Sequence, residues 1–145
     1  MGNEVQGSRV SVVEVPSERH LTAESLAKGF GATIFEPEWW PHDVGPVAYF
    51  LDRHQHGLSY RIGSTRRGGA PIACIGRSEN PKARLAAANW RELPEFGAWR
   101  AVVSADDTGT RAVLHRDEQT LHLIGYASEA GIVAAIRSLR AVTAP

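Results

Sequence analysis

Hydrophobic and polar residues alternate along much of the middle and end of this chain. In "VAYFL" (47–51), Val47, Tyr49 and Leu51 share one parity. In "LSYRIG" (58–63), Leu58, Tyr60 and Ile62 share one, while Ser59 and Arg61 take the other. A period of two places alternate side chains on opposite faces of a strand, so both runs predict half-buried strands. "RHQHG" between them reads as a hairpin loop ending in glycine. "STRRGG" is a second turn, and "APIACIGR" (70–77) a third strand with Ile72 and Cys74 on one face. "AWRAVV" (98–103), "TRAVLH" (110–115) and "QTLHLIGY" (119–126) continue the pattern. If Arg116 pairs with Gln119, Leu114 faces Leu121 and Ala112 faces Leu123 on the core side. Arg111, His115, Thr120 and His122 then face outward. Near the amino terminus, "RVSVVEV" (9–15) is β-branched and reads as a first strand.

Two segments carry helical signals. In "HLTAESLAKGFGA", Thr22 stands at an N-cap, Glu24 falls in the first turn, and Leu21 and Leu26 occupy the staple positions. Gly29 or Gly31 ends it. In "SEAGIVAAIRSLRAV", Ser128 is the N-cap, and Ile132, Ile136 and Leu139 recur at i, i+4, i+7. Arg137 and Arg140 suit its carboxyl-terminal turn. "PKARLAAANW" has helical propensity, with Pro94 and Gly97 closing the segment 80–97. Together these predict an α+β fold: a six- to seven-stranded, mostly antiparallel sheet with one wet face. A short N-terminal helix and a C-terminal helix pack on it. Residues 21–142 form a single domain, and residues 1–20 form a strand or a partly disordered lead.

Composition narrows the function classes. The 145 residues suffice for one self-supporting core, and a single cysteine, Cys74, rules out an internal disulfide. Its apolar setting reads as a small buried hydrophobe rather than a nucleophile. No run approaches the roughly 20 apolar residues that span a bilayer, and "MGNEVQGSRVSVVEV" has no apolar signal region. The chain as written is expected in the cytoplasm, or outside the cell if a leader has been removed. Net charge is zero but unevenly spread: residues 1–52 carry eight acids and three bases, residues 53–116 five acids and eleven bases. The bases are dispersed, which describes a solvated sheet face more than an anion-binding patch. Tyr60 and Arg61 fall on opposite faces, so a stacking platform for nucleic acid is not expected.

Chemistry-bearing motifs are sparse. His54 and His56 form an H-x-H pair with His42, Asp43 and Asp52 in the vicinity, but no four-ligand zinc spacing occurs. No P-loop, G-x-G-x-x-G, H-E-x-x-H or G-x-S-x-G is present. Neither catalytic residues, metal nor cofactor are assigned. "EPEWWPHDVGP" places Trp39 and Trp40 between prolines, and an extended chain turns them to opposite sides. The leading expectation is a non-enzymatic ligand-binding or accessory domain whose groove is rimmed by Trp39, Trp40, Tyr49 and Tyr60. Arg61 or Arg66 would orient an anionic group there. The ligand is a small molecule or a protein partner, and the oligomeric state is open. Two alternatives stand beside this reading. One is a small enzyme using His42, His54 or His56 with Asp43 or Asp52. The other is an interaction module pairing through an edge strand.

"LTAESLAKGFGATIFEPEWWP", "VAYFLDRHQHGLSYRIGS" and "AVLHRDEQTLHLIGYASEAGIVAAIRSLRAV" resemble, in that order, the parts of a group of bacterial domains. These are exported sensor and lipoprotein domains of unknown function, of the type associated with anti-sigma factors. The resemblance covers residues 21–142 and implies a non-catalytic sensing or binding module. The layout is also similar to the Mog1/PsbP-like sandwich. No functional residue carries over, and the chain lacks the signal peptide and lipobox cysteine of the group.

Overall fold

A computed structural model describes residues 17–42, 44–54, 57–65, 71–77, 90–106, 109–116 and 119–145. Eight strands form one antiparallel sheet in the order β1-β3-β4-β5-β9-β8-β7-β6. They are β1 (Ser17–His20), β3 (Ala48–His54), β4 (Gly57–Thr65), β5 (Pro71–Arg77), β6 (Arg91–Phe96), β7 (Trp99–Asp106), β8 (Gly109–Arg116) and β9 (Gln119–Tyr126). A separate two-stranded ribbon joins β2 (Ile34–Pro37) to β10 (Leu139–Val142). The described helices are α1 (Ala23–Phe30) and α2 (Glu129–Arg137). The fold is therefore α+β and largely antiparallel, with more strands than six or seven.

The strands missed by periodicity explain that difference. Strands β1, β2 and β10 have four residues each, too short to establish an alternating pattern. Strand β6 contains Pro94, which reads as a helix terminator in sequence. It is tolerated here because β6 is an edge strand whose register shifts between Leu93 and Phe96. The expected strand at 9–15 and the helical stretch 81–89 lie outside the described residues.

Hairpin β8–β9 has the expected register: Arg116 opposes Gln119, Leu114 opposes Leu121, and Ala112 opposes Leu123. All four apolar residues are buried. They join Leu51, Ile62, Ile72 and Cys74 on one face of the sheet, where α1 contributes Leu26 and Phe30 and α2 contributes Ile132 and Ile136. Each such large side chain contributes about 1.5–3 kcal/mol on leaving water. Tyr60 crosses this core. Its ring lies over Gly76 on the neighbouring strand, meets Phe30 edge-on at 4.9 Å, and accepts the backbone N–H of Phe35 at 3.0 Å.

The opposite, outer face is not uniformly wet. Thr120 is on it, as expected, but fully buried, and Ser59 is nearly so. Val102 and Val113 form a second small cluster under Trp90, whose ring carries the Arg111 guanidinium at 5.6 Å.

Both helices begin as the sequence directs. Thr22 Oγ1 accepts from Ser25 N at 3.0 Å, and Ser128 Oγ from Gly131 N at 3.1 Å. Gly31, at φ +82°, ends α1 in the left-handed conformation that suits glycine. Two details differ. Leu21 is 87% exposed, so the staple with Leu26 does not form. The pairing of β1 with β3 fixes the direction from which the chain enters α1. Helix α2 stops at Arg137, and the stretch read as its last turn becomes β10. Ser138 is the reason: its Oγ donates to Ala135 O at 2.8 Å while accepting Glu38 N at 3.0 Å and Trp39 N at 2.9 Å. This ties the helix end to β2, and Arg140 then meets Glu36 across the ribbon at 2.8 Å instead of capping a helix.

Candidate functional site

A groove opens on the outer face of β3, β4 and β5. Its floor follows from sequence: Ala48 opposes Gly63, and Gly63 opposes Ala73, so one row across three strands carries almost no side-chain bulk. Gly63 tolerates nothing larger, because a Cβ there would stand 2.2 Å from Ile72 O. The next row supplies a wall, since Phe50 opposes Arg61. The ends are closed by Pro46, Ser64 and Pro71, and the groove encloses about 300 Å³. The loop carrying Pro46 is pinned where Ser64 Oγ donates to Val44 O at 2.9 Å. This wall is the carboxyl end of the proline-rich stretch that follows the two tryptophans.

Arg61 gives the groove its polarity. Its guanidinium lies 4.7 Å from the Phe50 ring centroid, and its Nε donates to Asp52 Oδ2 at 2.6 Å. Nη2 donates to Asp52 Oδ1 at 3.2 Å and to Ser17 Oγ at 3.3 Å. Ser17 Oγ in turn donates to Asp52 Oδ1 at 2.5 Å. Nη1 makes no hydrogen bond among the described residues, and the Arg61 side chain is 41% exposed. The cation is thus aimed and held by a buried carboxylate. Burial alone would raise the Asp52 pKa. The hydrogen bonds from Arg61 and Ser17 outweigh burial and hold it below the usual 3.8.

The five described residues expected at one rim, Trp39, Trp40, Tyr49, Tyr60 and Arg61, are not brought together. Trp39 is 39% exposed and lies beside Gly131 of α2, while Trp40 packs half-buried against the core. Tyr49 turns toward the helices, where its hydroxyl donates to Glu36. Burial and the neighbouring Glu36 carboxylate push the Tyr49 hydroxyl pKa upward. Tyr60 is fully buried. Of the expected rim residues that are described, Arg61 lines the groove and the others do not, and Arg66 lies outside the described residues. Phe50, Pro46 and the small-residue floor were missed. Parity was the available signal, because Phe50 alternates with Tyr49 on β3 and Arg61 alternates with Tyr60 on β4, so each points away from its tyrosine.

The histidine hypothesis fares differently at each position. His42 is exposed, His54 Nε2 meets Ser59 Oγ at 2.6 Å, and Asp43 and His56 lie outside the described residues. Asp52 is committed to Arg61 and Ser17 rather than to an imidazole. His115 Nδ1 is buried with no hydrogen-bond partner among the described residues. No group of three or more His, Cys, Asp or Glu among the described residues is arranged to hold a metal. Cys74 is fully buried, with Sγ 3.9 Å from Phe35 O. No described helix is long and apolar enough to cross a membrane.

Comparison with known proteins returns no match. No family profile matches the chain, and neither a curated protein nor a solved structure is significantly similar to it.

Proposed function

We propose that this chain is a binding module that takes a small ligand in the outer-face groove. The ligand has an apolar body and a carboxylate or another hydrogen-bond acceptor. The observation that carries this reading is the small-residue floor of Ala48, Gly63 and Ala73 beside an Arg61 guanidinium stacked on Phe50. The apolar body fills the floor, and the acceptor meets Nη1 of Arg61. Asp52 neutralises much of the Arg61 charge, so recognition depends on hydrogen-bond geometry rather than on long-range attraction. The sensing or accessory role implied by the resemblance of residues 21–142 is the physiological setting we propose for this groove.

The edge-strand alternative has less in its favour. Strand β1 is four residues long and carries Glu18 and Arg19, and β6 is interrupted by Pro94 and a register shift. Short, charged or bulged edges resist further pairing.

The test is amide chemical-shift mapping against a panel of aliphatic and aromatic carboxylates and their amides. Saturable shifts at Ala48, Gly63 and Ala73 are expected. Arg61→Gln should weaken binding by about 10- to 100-fold, the worth of one hydrogen bond to a charged group. Shifts confined to other faces, or unchanged affinity in Arg61→Gln, would refute the groove.

A further inference from the structure

A second constellation lies on the opposite face of the sheet, where β1 meets α1. Glu18 and His20 are two residues apart on β1 and share a side of the strand. Nδ1 of His20 is 2.7 Å from Ser25 Oγ, and Nε2 is 2.9 Å from Glu18 Oε1. A neutral imidazole carries one N–H and one lone pair. The Glu18 carboxylate can only accept, so Nε2 holds the proton and Nδ1 accepts from the Ser25 hydroxyl. That is the polarity of a base poised on a hydroxyl nucleophile and oriented by a carboxylate. The two ring nitrogens are exchanged relative to the common serine-hydrolase arrangement, but the chemistry requires only one of each kind.

The imidazole is held rather than free. Its side chain is 13% exposed, and it packs on α1 at Gly29, where a Cβ would stand 3.1 Å from Nε2 and 3.2 Å from Cε1. Glycine is disfavoured in a helix interior relative to alanine, and here it leaves room for the ring. Ser25 is exposed in the first turn of α1, with its own N–H bonded to Thr22 Oγ1.

We propose that Ser25, His20 and Glu18 form an acyl-transfer site for activated carboxylic esters. Ser25 Oγ attacks the ester carbonyl carbon as its proton passes to His20 Nδ1. The tetrahedral adduct collapses, the C–O bond to the alcohol breaks, and His20 returns the proton to the leaving oxygen. Water then attacks the acyl-Ser25 ester by the same route, releasing the acid and restoring Ser25. The sum is ester plus water to acid plus alcohol, with no further reactant. Glu18 is a positioning residue, whereas Ser25 and His20 touch the reacting atoms. The site is independent of the outer-face groove.

The experiment pairs turnover of p-nitrophenyl acetate with labelling by an alkyl fluorophosphonate, in which Ser25 Oγ displaces fluoride from phosphorus. One label per chain is expected, located at Ser25 by peptide mass, and this needs no variant. Ser25→Ala should lower kcat/KM by about 100-fold or more, and His20→Gln should do the same and abolish labelling. Glu18→Gln should lower kcat by about tenfold with KM unchanged, which a purely structural role would not produce. A label found only elsewhere, no label at all, or equal turnover by wild type and a folded Ser25→Ala would overturn the proposal.

Discussion

Gly76→Ala should destabilise this protein far more than a single methyl group suggests. Gly76 lies on the core side of β5, opposite Tyr60 on β4 and Leu121 on β9. A Cβ there would stand 2.0 Å from Tyr60 Cζ and 2.3 Å from its hydroxyl oxygen. The ring must retreat by roughly 1.4 Å to reach ordinary contact at 3.4 Å. It has nowhere to go, because Tyr60 is fully buried, abuts Phe30, and holds the Phe35 N–H at 3.0 Å. Overpacking costs about 1–3 kcal/mol. Losing the buried Phe35 hydrogen bond adds about 1–3 kcal/mol. Replacing glycine returns about 0.5–1 kcal/mol of chain entropy. The net loss is about 1–5 kcal/mol, against a total stability of about 5–15 kcal/mol for a domain of this kind. Urea unfolding followed by tryptophan fluorescence should show the midpoint falling with the slope unchanged. The Tyr60→Leu background should cut the cost of Gly76→Ala to under about 0.5 kcal/mol. If the full cost persists there, or wild-type Gly76→Ala loses less than about 0.5 kcal/mol, the ring-over-glycine argument fails.

Tyr60→Phe keeps the ring and strands the Phe35 N–H, so it should cost about 1–3 kcal/mol in the same urea titration. Asp52 has a lowered folded-state pKa, so its contribution is complete above its unfolded value and is lost as pH falls through the folded value. Below about pH 4 the wild type should therefore lose stability more steeply than Asp52→Asn, as read from urea midpoints between pH 6 and pH 2. Glu36→Ala removes the buried partner of Arg140 and Tyr49. Because Arg140 is 42% exposed, the expected loss is a solvent-screened 1–2 kcal/mol (about), with faster amide exchange in β2 and β10 as the local signature. Burial and, to a lesser degree, Glu36 push the Cys74 thiol pKa upward. A disulfide reagent should modify Cys74 only through opening of the core, so its rate should rise with urea in parallel with unfolding, and a fast urea-independent rate would contradict the burial.

Parity and caps could be read directly because they are local. Thr22, Gly31 and Ser128 act through hydrogen bonds or dihedral angles within a few residues. Leu114 and Leu121 find each other because the short loop between β8 and β9 leaves one register that buries both. Which residues share a groove lies beyond that range. Tyr49 and Tyr60 were rightly placed together on one face, but whether that face was groove or core depended on where α1 and the ribbon came to rest. Hydrogen-bonded pairs such as Ser25 with His20 were also beyond sequence reading, because a bend between β1 and α1 folds the chain back on itself.

By itself, then, the sequence determined the α+β class, the antiparallel hairpins, the faces of β3, β4, β5, β8 and β9, and the start of both helices. These depend on a period of two or on one turn of chain. The tertiary structure decided that Leu139–Val142 is a strand, that Glu36 is buried against Arg140 104 residues away, and that Arg61 lines a groove on the outer face of β3, β4 and β5. The physical reason is that a backbone segment with four residues has no preference strong enough to choose its own state. It takes the state that satisfies its N–H and C=O groups, and for β10 the partner is β2, supplied from the far end of the chain.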